Sequence, residues 1–395
     1  MSSDQRQTEL ISLARRALTH LQNKTTDQAE QIMPMGIGAY TDAQRYQQEL
    51  NRIFKGLPIC LGLSLELPEP GSYLAINALE VPVLLVRGSD GQARAFLNVC
   101  RHRGATLCEP GRGKKRVFSC PYHAWSYGTD GRLVGVYAED TFGELDRDDL
   151  GLVELACTER AGLLWAMLTP GERFDIDTWL GDFGPELETL ELDNWHLHVQ
   201  RDLPGPGWKV TMDGYLEVYH HNSVHGQTVG KHTIGNLLVL DDYGPHQRLT
   251  FGRRTIGTLA DVPEAQWEPL QHIRLIHSAF PNLSVSGILG DHCLVSQIFP
   301  GPTPETTVTR QTVLAAKKPE TPAEIKATET FSAMTLQAVQ DEDYAIGGGI
   351  QSAINAGANS QFLFGRNEPA VQHYHRWVAK FMAGQNDRVT GSSSP

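Results

Sequence analysis

The spacing of apolar and polar residues divides the chain into segments of different type. In residues 4–23, apolar side chains recur at three- and four-residue intervals, which predicts an amphipathic amino-terminal helix. Residues 41–56 predict a second helix, with Thr41 as its cap and Gly56 near its end. Over residues 57–168, short alternating runs are separated by Gly, Pro, Asn and Asp, which predicts a small antiparallel β domain.

A different pattern follows Pro170, where strand-like and helix-like segments are mixed. The predicted strands are residues 195–201, 247–252, 283–287, 293–299 and 306–315. The predicted helices are residues 210–222, 322–344 and 369–382. This order predicts an α+β fold in which a sheet packs against long carboxy-terminal helices. The expected organisation is a helical segment (1–56) packed on the second domain, a β domain (57–168), an α+β domain (169–384) and a disordered tail (385–395).

Composition and charge exclude several classes of protein. Of the 395 residues, 40% are hydrophobic and 20% are charged, which argues against intrinsic disorder. The net charge of −12 argues against a general nucleic-acid-binding surface, because phosphate binding needs a basic footprint. The segment MSSDQRQTEL lacks the features of a signal peptide, and no apolar run is long enough to span a bilayer. The expectation is a cytoplasmic protein without nucleic-acid or membrane partners.

Two of the six cysteines are each followed closely by a histidine. Cys100 and His102 are separated by one residue, seventeen residues follow, and Cys120 and His123 are separated by two residues. One interpretation is structural, with a Cys100–Cys120 disulfide, and a second is a Cys2His2 zinc site. Zinc fingers usually place two cysteines in one arm and two histidines in the other. The mixed arms favour a Rieske [2Fe–2S] cluster, in which two cysteines hold one iron and two histidines hold the other.

The segments NVCRHRGATLC and SCPYHAWSYGTDGRL resemble the cluster-binding segments of the Rieske non-haem iron oxygenases, in their terminal oxygenase α subunits. The resemblance implies that Cys100, His102, Cys120 and His123 bind the cluster. It does not by itself imply an oxygenase, because Rieske ferredoxins share these arms.

A second motif, WKVTMDGYLEVYHHNSVH, occupies residues 208–225. If the segment is helical, Glu217 and His220 share a face, and His225 lies just beyond the helix end. Two imidazoles and a carboxylate from elsewhere form the facial triad of mononuclear iron(II) oxygenases. The alternative is a histidine-rich surface turn. The motif resembles the catalytic motif of the same family, which implies His220 and His225 as iron ligands, with His221 as the main rival to His220.

The resemblance places the third iron ligand in QAVQDEDYAIGGGIQSA and implies Asp343, while Asp341 and Glu342 remain open by register. Glu217 stands where most family members have a bridging aspartate, and a glutamate is found in the carnitine-oxygenase-like members. Its implied partner is His123 of an adjacent subunit, which implies a ring of subunits, by default a homotrimer. Asp213, a second catalytic candidate in a supporting role, stands where many members have asparagine.

The resemblance covers roughly residues 40–385 and implies a helix-grip, START-like catalytic domain carrying mononuclear Fe(II). It implies electrons from NAD(P)H through a separate reductase, sometimes with a ferredoxin or a β subunit. The chain has no Rossmann glycine fingerprint of its own. The expected function is O2-dependent hydroxylation of a small aromatic substrate. The alternative is oxidative cleavage or N-demethylation of a quaternary ammonium compound such as carnitine or a betaine, which the glutamate at position 217 suggests.

The segment HSAFPNLSVSGILGDHCLVSQIFPGP resembles the pocket-forming strands of the family. Core packing would equally explain its apolar residues. The expected pocket residues are Phe280, Asn282, Val285, Ile288 and Leu294. Two hypotheses outside the oxygenases remain at this point. One is a pure electron-transfer Rieske protein, which needs no second domain, and the other is a zinc-stabilised START-like ligand carrier.

Overall fold

The computed structural model describes residues 3–287 and 291–385. These residues form two compact units. The β unit is formed by residues 51–179 with 191–193. The α+β unit is formed by residues 3–50, 180–190 and 194–385. The predicted tail lies outside the described residues from position 386 onwards. No helix in the described part of the chain is both long and apolar enough to cross a bilayer.

The α+β unit begins with helix α1, whose apolar stripe matches the pattern in the sequence. Leu10, Leu13 and Leu18 are buried against the sheet residues Leu237 and Val239. The elements of this amino-terminal part are α1 (Ser3–Asn23), β1 (Met33–Gly36), α2 (Gly38–Thr41), α3 (Ala43–Glu49) and a π-helix (Leu50–Phe54).

The predicted second helix differs in its cap. Thr41 ends α2, and its hydroxyl bonds back to the carbonyl of Ile37. Asp42 caps α3 instead, because its carboxylate accepts the backbone N–H of Arg45 at 2.7 Å.

The β unit consists of three small sheets in which all neighbouring strands are antiparallel. Their orders are β10-β5-β4-β3-β6, β7-β8-β9 and β11-β12-β2. The elements are β2 (Ile59–Leu63), β3 (Ser72–Ala78), β4 (Val81–Arg87), β5 (Ala93–Leu97), β6 (Gly111–Lys114), β7 (Val117–Ser119), β8 (Ser126–Gly128), β9 (Leu133–Gly135), α4 (Glu139–Phe142), β10 (Glu154–Leu155), β11 (Cys157–Arg160), β12 (Leu163–Ala166) and α5 (Ile176–Leu180).

The α+β unit continues with a seven-stranded antiparallel sheet in the order β13-β19-β18-β17-β16-β15-β14. Its remaining elements are α6 (Phe183–Glu188), β13 (His196–Pro206), α7 (Trp208–Tyr215), β14 (Thr233–Tyr243), β15 (His246–Arg253), β16 (Ile273–Ala279), β17 (Leu283–Ser286), β18 (His292–Pro300), β19 (Thr306–Ala315), α8 (Pro322–Leu336), α9 (Tyr344–Ile354), β20 (Gln361–Phe364) and α10 (Pro369–Met382). The Phe280 ring lies 5.0 Å from that of Tyr374 in α10, so this helix packs on the sheet. The α+β class predicted from the sequence is confirmed.

Two of the predicted helices are interrupted. The first ends at Tyr215, before the histidines, and is followed by a 3-10 turn at His220–Asn222. The second divides into α8, a π-helix over Gln337–Asp343, and α9. Both interruptions occur where the candidate metal ligands lie. Single π-helical turns within helices are frequently found at functional sites.

A buried charge cluster joins α1, α6 and the sheet of the α+β unit. The Glu186 carboxylate lies 2.9 Å from Arg6, 3.0 Å from Arg248 and 2.7 Å from Nε2 of His277. Burial alone would raise the pKa of Glu186, but the hydrogen bond from His277 and the two guanidinium charges outweigh it. The net pKa is therefore well below its usual range.

Replacing Glu186 by glutamine should lower the free energy of unfolding by about 3 kcal/mol at pH 7, because Arg248 stays buried with less counter-charge. Because the folded-state pKa is depressed, the stabilisation is complete above the unfolded-state pKa of about 4.3 and is lost as the pH falls below it. Urea denaturation between pH 3 and 7 should therefore give a flatter profile for the variant than for the wild type. The exposed Glu264, paired with Arg15, is the control, and an equal loss in Glu264→Gln would contradict this assignment.

Candidate functional sites

The cysteine and histidine arms of the β unit occupy two loops with the same backbone geometry. In the first loop the N–H of Gly104 donates to the carbonyl of Cys100, and in the second Ala124 donates to Cys120, each at 3.0 Å. Gly104 and Ala124 both have positive φ, at 77° and 57°. The first loop follows β5 and the second connects β7 to β8. Two matching turns thus present one thiol and one imidazole each.

The four side chains fit an iron–sulfur centre. Cys100 and Cys120 are buried free thiols, so the disulfide alternative is not formed. The rings of His102 and His123 are 4.7 Å apart. His102 stacks on Trp125, and its buried Nδ1 has no hydrogen-bond partner within the described part of the chain. A buried nitrogen without a partner costs free energy unless it has a ligand, so this atom suits metal coordination.

The Tyr127 hydroxyl lies 3.3 Å from the sulfur of Cys100 and accepts the backbone N–H of Arg101 at 2.9 Å. Its proton is therefore available to the sulfur. A hydrogen bond to a ligand sulfur stabilises the reduced cluster and raises its reduction potential.

Replacing Tyr127 by phenylalanine should lower the reduction potential of the cluster by about 40 mV, equivalent to about 1 kcal/mol for one electron. A redox titration followed by EPR measures this change. Tyr122 is the matched control, because its hydroxyl lies near Arg103 instead of a cysteine. A Tyr127→Phe potential no different from that of Tyr122→Phe would contradict the assignment.

In the α+β unit, the chain turns sharply between α7 and the histidines. The Glu217 carboxylate accepts the backbone N–H groups of Tyr219 and His220, and it also contacts Nδ1 of His220. A side chain that binds the backbone locally competes with a continuing helix. The predicted helical face shared by Glu217 and His220 is therefore wrong, although the two side chains do meet.

His220, His225 and Asp343 converge as a candidate metal centre. The Nε2 atoms of the two histidines are 3.1 Å apart, and Oδ1 of Asp343 lies 3.0 Å from His225 and 3.5 Å from His220. Ligands about 2.1 Å from one ion, at right angles to each other, are separated by about 3.0 Å. The three atoms are thus spaced as one face of an octahedron, and the donor set suits non-haem iron(II).

The two carboxylates that the sequence left as alternatives to Asp343 occupy different positions. Glu342 accepts from Nδ1 of His225 at 2.7 Å, and Asp341 is exposed. Glu342 and Asp343 are adjacent in the π-helix, yet both reach His225. Burial alone would lower the pKa of His225, but Asp343 and Glu342 outweigh it and raise the pKa of the metal-free imidazole.

His221 is not part of the triad. Its ring is buried, packs edge-on against Phe251 at 5.2 Å, and has Nδ1 3.3 Å from the hydroxyl of Thr233. Burial and the neighbouring histidines hold the pKa of His221 well below its ordinary value, so the ring is neutral at pH 7.

Asp213 lies one turn before Glu217 and anchors α7. Its carboxylate accepts the Tyr40 hydroxyl at 2.6 Å and lies 2.7 Å from Nε2 of His375. It shares a cleft of about 360 Å³ with Glu217 and Glu368. Burial raises the pKa of Glu368, and the charges of Glu217 and Asp213 add to this effect. Sequence reasoning missed Glu368, which has no motif around it.

A cavity of about 340 Å³ adjoins the triad on the sheet side. Leu294 lines this cavity, and Ile288 lies outside the described residues. Phe280, Asn282 and Val285 do not line it, which corrects the prediction. Strand alternation explains Val285, because Ser284 and Ser286 on either side of it face the cavity. The Phe280 ring packs against α10 instead.

The cavity also contains side chains that the sequence did not indicate. Strands β15 and β16 and helix α8 contribute aromatic, basic and aliphatic side chains to its wall. The lining residues that the sequence did not indicate include Phe251, Arg253, Arg274, Ile276, Phe331 and Met334. The alternating pattern of β15 was a usable signal, since Phe251 and Arg253 fall on one face.

Family comparisons agree with both units. Residues 58–148 match the Rieske [2Fe–2S] domain, and residues 192–384 match the catalytic domain of ring-hydroxylating α subunits. These matches confirm the predicted fold class, a Rieske domain with an α+β catalytic domain, and the predicted cofactors, a [2Fe–2S] cluster and mononuclear iron.

Among curated proteins, the oxygenase subunit of glycine betaine monooxygenase from Chromohalobacter salexigens is 33% identical over 205 residues, covering 51% of this chain and 44% of the relative. The α subunit of biphenyl 2,3-dioxygenase from Rhodococcus jostii is 38% identical over 144 residues, covering 36% of this chain and 31% of the relative. The matches thus span less than half the length of these two relatives.

Solved structures share the fold at low identity. The quaternary ammonium Rieske monooxygenase CntA in complex with L-carnitine has a TM-score of 0.76 at 22% identity, covering 88% of this chain and 95% of that chain. A naphthalene 1,2-dioxygenase mutant bound to phenanthrene has a TM-score of 0.71 at 18% identity, covering 92% and 96%.

Proposed function

This chain belongs to the Rieske non-haem iron oxygenases, and on that premise we propose that it is a terminal oxygenase component that hydroxylates a small organic substrate. Electrons come from NAD(P)H through a separate reductase, directly or through a ferredoxin. The observation that carries the proposal is the position of the His220, His225 and Asp343 donor atoms beside a cavity of about 340 Å³. A pure electron-transfer protein needs no such cavity, and a ligand carrier needs no triad.

In this proposal Cys100, Cys120, His102 and His123 hold the [2Fe–2S] cluster. His220, His225 and Asp343 hold the mononuclear iron. When bound, the cluster passes single electrons and the iron activates dioxygen. The reaction consumes one dioxygen, two electrons and two protons, and inserts one or both oxygen atoms into the substrate.

The surrounding carboxylates orient the histidines. Glu342 accepts the Nδ1 proton of His225, which leaves Nε2 as the unprotonated donor atom. Glu217 does the same for His220. Asp213 is a positioning residue, since it joins α7 to Tyr40 and His375 and does not contact the triad.

We further propose a homotrimer, with or without a β subunit, in which Glu217 receives the neighbouring subunit's cluster histidine. Exposed apolar residues on each unit support this arrangement. Leu363 is 63% exposed and Ile346 54% exposed, and both line the cleft that holds Glu217. On the β unit, Tyr122 is 57% exposed while its ring stacks on His123. Exposed apolar side chains beside both sites favour contact between copies.

Two substrate classes fit the cavity. An aromatic compound is the first candidate, because Phe251, Leu294 and Phe331 supply an apolar wall. A quaternary ammonium compound is the second candidate. Residue 217 is a glutamate, as in the carnitine-oxygenase-like members, and a curated relative is a glycine betaine monooxygenase.

A single-turnover experiment tests the function. Chemically reduced protein is mixed with heavy-isotope dioxygen and a panel of aromatic acids, neutral aromatics and methylated amines, and the products are analysed by mass spectrometry. The expected result is a product carrying one or two labels, which also distinguishes monooxygenation from dioxygenation. Loss of a methyl group or cleavage of a quaternary amine would support the second class. Iron-replete protein that never consumes dioxygen under reducing conditions would contradict the proposal.

A further inference from the structure

Two arginines project from neighbouring strands into the wall of the cavity. Arg253 ends β15, and Arg274 lies on β16 directly opposite Phe251. Because Phe251 and Arg253 are two residues apart, all three side chains are on the same face of the sheet. All three line the cavity beside the triad.

Neither guanidinium has a carboxylate partner among the described residues. Arg253 donates to the carbonyl of Gln271 at 2.9 Å, and Arg274 donates through Nη1 to the carbonyls of Leu270 and Ile273 at 2.7 and 2.6 Å. A guanidinium has five N–H donors, so most donors of both groups have no acceptor in the described chain. Both side chains are fixed at one edge and can bind a ligand at the other.

Arg248 in the same sheet has a different charge environment. That arginine lies within 3.1 Å of the carboxylates of Glu9, Glu186 and Asp241. Arg274 is half-buried and has no carboxylate within ion-pair distance among the described residues. Burial and the charge of Arg253 lower its pKa to about 10, and the more remote charge of Asp291 only partly offsets them. Arg274 therefore remains protonated at pH 7, and a partly buried cation without a counter-ion is stabilised by an anion that enters beside it.

The other residues of the cavity wall indicate which groups an anionic ligand must contain besides its charge. Ile276, Leu294, Phe331 and Met334 are apolar, and the acidic side chains of the cavity belong to the triad region, Glu217 and Asp343. A ligand that satisfies this wall has one anionic group and an apolar or alkylated remainder.

We propose that the substrate is a carboxylate, bound through its carboxylate group by Arg274 and Arg253 with its oxidisable part against Phe251 and Phe331. This inference rests on the proposed function, because it assumes that the cavity is where oxidation occurs. Planar guanidinium groups bind carboxylates through paired charge-assisted hydrogen bonds. A neutral hydrocarbon would leave both cations without a counter-charge, and a cation without a carboxylate would be repelled.

Two kinds of compound contain such a carboxylate group, an aromatic acid and a betaine. Calorimetry with matched pairs of ligands distinguishes them. Benzoate is compared with benzamide, and glycine betaine with choline, on the iron-loaded holoenzyme under nitrogen. We expect one carboxylate of the two pairs to bind at least tenfold more tightly than its carboxylate-free analogue. The pair that responds identifies the source.

Replacing Arg274 by methionine should weaken binding of that carboxylate about 10- to 100-fold and leave its analogue unchanged. Arg274→Lys, which keeps the charge without the planar fork, should lose less. Arg310 is the matched control, because it lies on β19 of the same sheet and is already paired with Asp202 at 2.9 Å. Circular dichroism and iron content identify any variant that does not fold.

Equal binding of carboxylates and analogues by the wild-type holoenzyme overturns the inference without needing any variant. Absence of carboxylate binding, or carboxylate binding that Arg274→Met leaves unchanged, also overturns it. Labelled product from neutral substrates in the single-turnover experiment would then leave the proposed oxygenase standing. Conversely, arginine-dependent carboxylate binding without any oxygenated product would support this inference and count against the proposed function.

Discussion

Replacing Asp343 by alanine should abolish binding of mononuclear iron while the visible spectrum of the [2Fe–2S] cluster stays unchanged. The reason is that, among the described residues, Asp343 supplies the one carboxylate oxygen within 3.5 Å of both histidine Nε2 atoms. Two neutral imidazoles without a charged ligand hold iron(II) weakly. Metal analysis should give about two irons per chain for the variant against about three for the wild type, the cluster itself containing two. Oxygenated product should fall below detection.

The neighbouring carboxylates provide the controls for this experiment. Glu342→Gln should weaken iron binding about 10- to 100-fold, because Glu342 contacts His225 through Nδ1 and not through the donor atom. Asp341→Asn should have no effect, since Asp341 is exposed. Full iron content in Asp343→Ala, or its complete loss in Asp341→Asn, would show that the ligand register is wrong.

In protein saturated with iron, replacing Glu217 by glutamine should reduce product formation in a single turnover at least 100-fold, with the cluster content unchanged. A carboxylate can accept a hydrogen bond from an imidazole on each side, whereas a glutamine amide has one acceptor oxygen. In the proposed trimer, the second imidazole is that of His123 from the neighbouring subunit. The variant should therefore block electron transfer from the reduced cluster to the iron. Stopped-flow absorption of the reduced cluster on mixing with substrate and dioxygen measures this step.

Glu217→Asp is the matched variant, because it keeps the carboxylate and has the residue found in most family members. It should retain at least a tenth of the wild-type rate. A wild-type rate of cluster reoxidation in Glu217→Gln would exclude Glu217 from the electron path. It would leave the iron ligands unaffected, since Asp343→Ala tests those separately.

The sequence predicted most of the secondary structure of the α+β unit but missed two strands of its seven-stranded sheet, β14 at the edge and β16 in the interior. β14 contains Gly235, Asn236, Asp241 and Asp242, which are residues typical of turns. β16 places Arg274 and His277 among its apolar residues, which obscures its strand pattern. In β16, Arg274 lines the cavity on one face of the sheet, and His277 belongs to the buried cluster around Glu186 on the other face.

The accuracy of the predicted helix boundaries was limited for a related reason. Apolar spacing predicted a single helix over residues 322–344, and it cannot detect that Gln337–Asp343 forms a π-helix. The wider π turn changes the direction of each side chain, so that two consecutive carboxylates both reach His225. The choice between Asp343 and Glu342 therefore could not be made from spacing alone.

The sequence by itself determined which metal-binding side chains lie close together along the chain. The pairs Cys100–His102, Cys120–His123 and His220–His225 are each separated by five residues or fewer, so chain connectivity alone brings their members close together. Donor types and spacing then identify the metal chemistry.

The tertiary structure decided everything that joins distant segments. Asp343 meets His225 only because the π-helix packs beside the turn after α7, and Arg274 faces the cavity only because β16 pairs with β15 in one register. A shift of one residue in that register would turn Arg274 to the opposite face of the sheet. Such contacts depend on strand pairing and packing between segments that are separated in the chain, and local sequence patterns do not specify them.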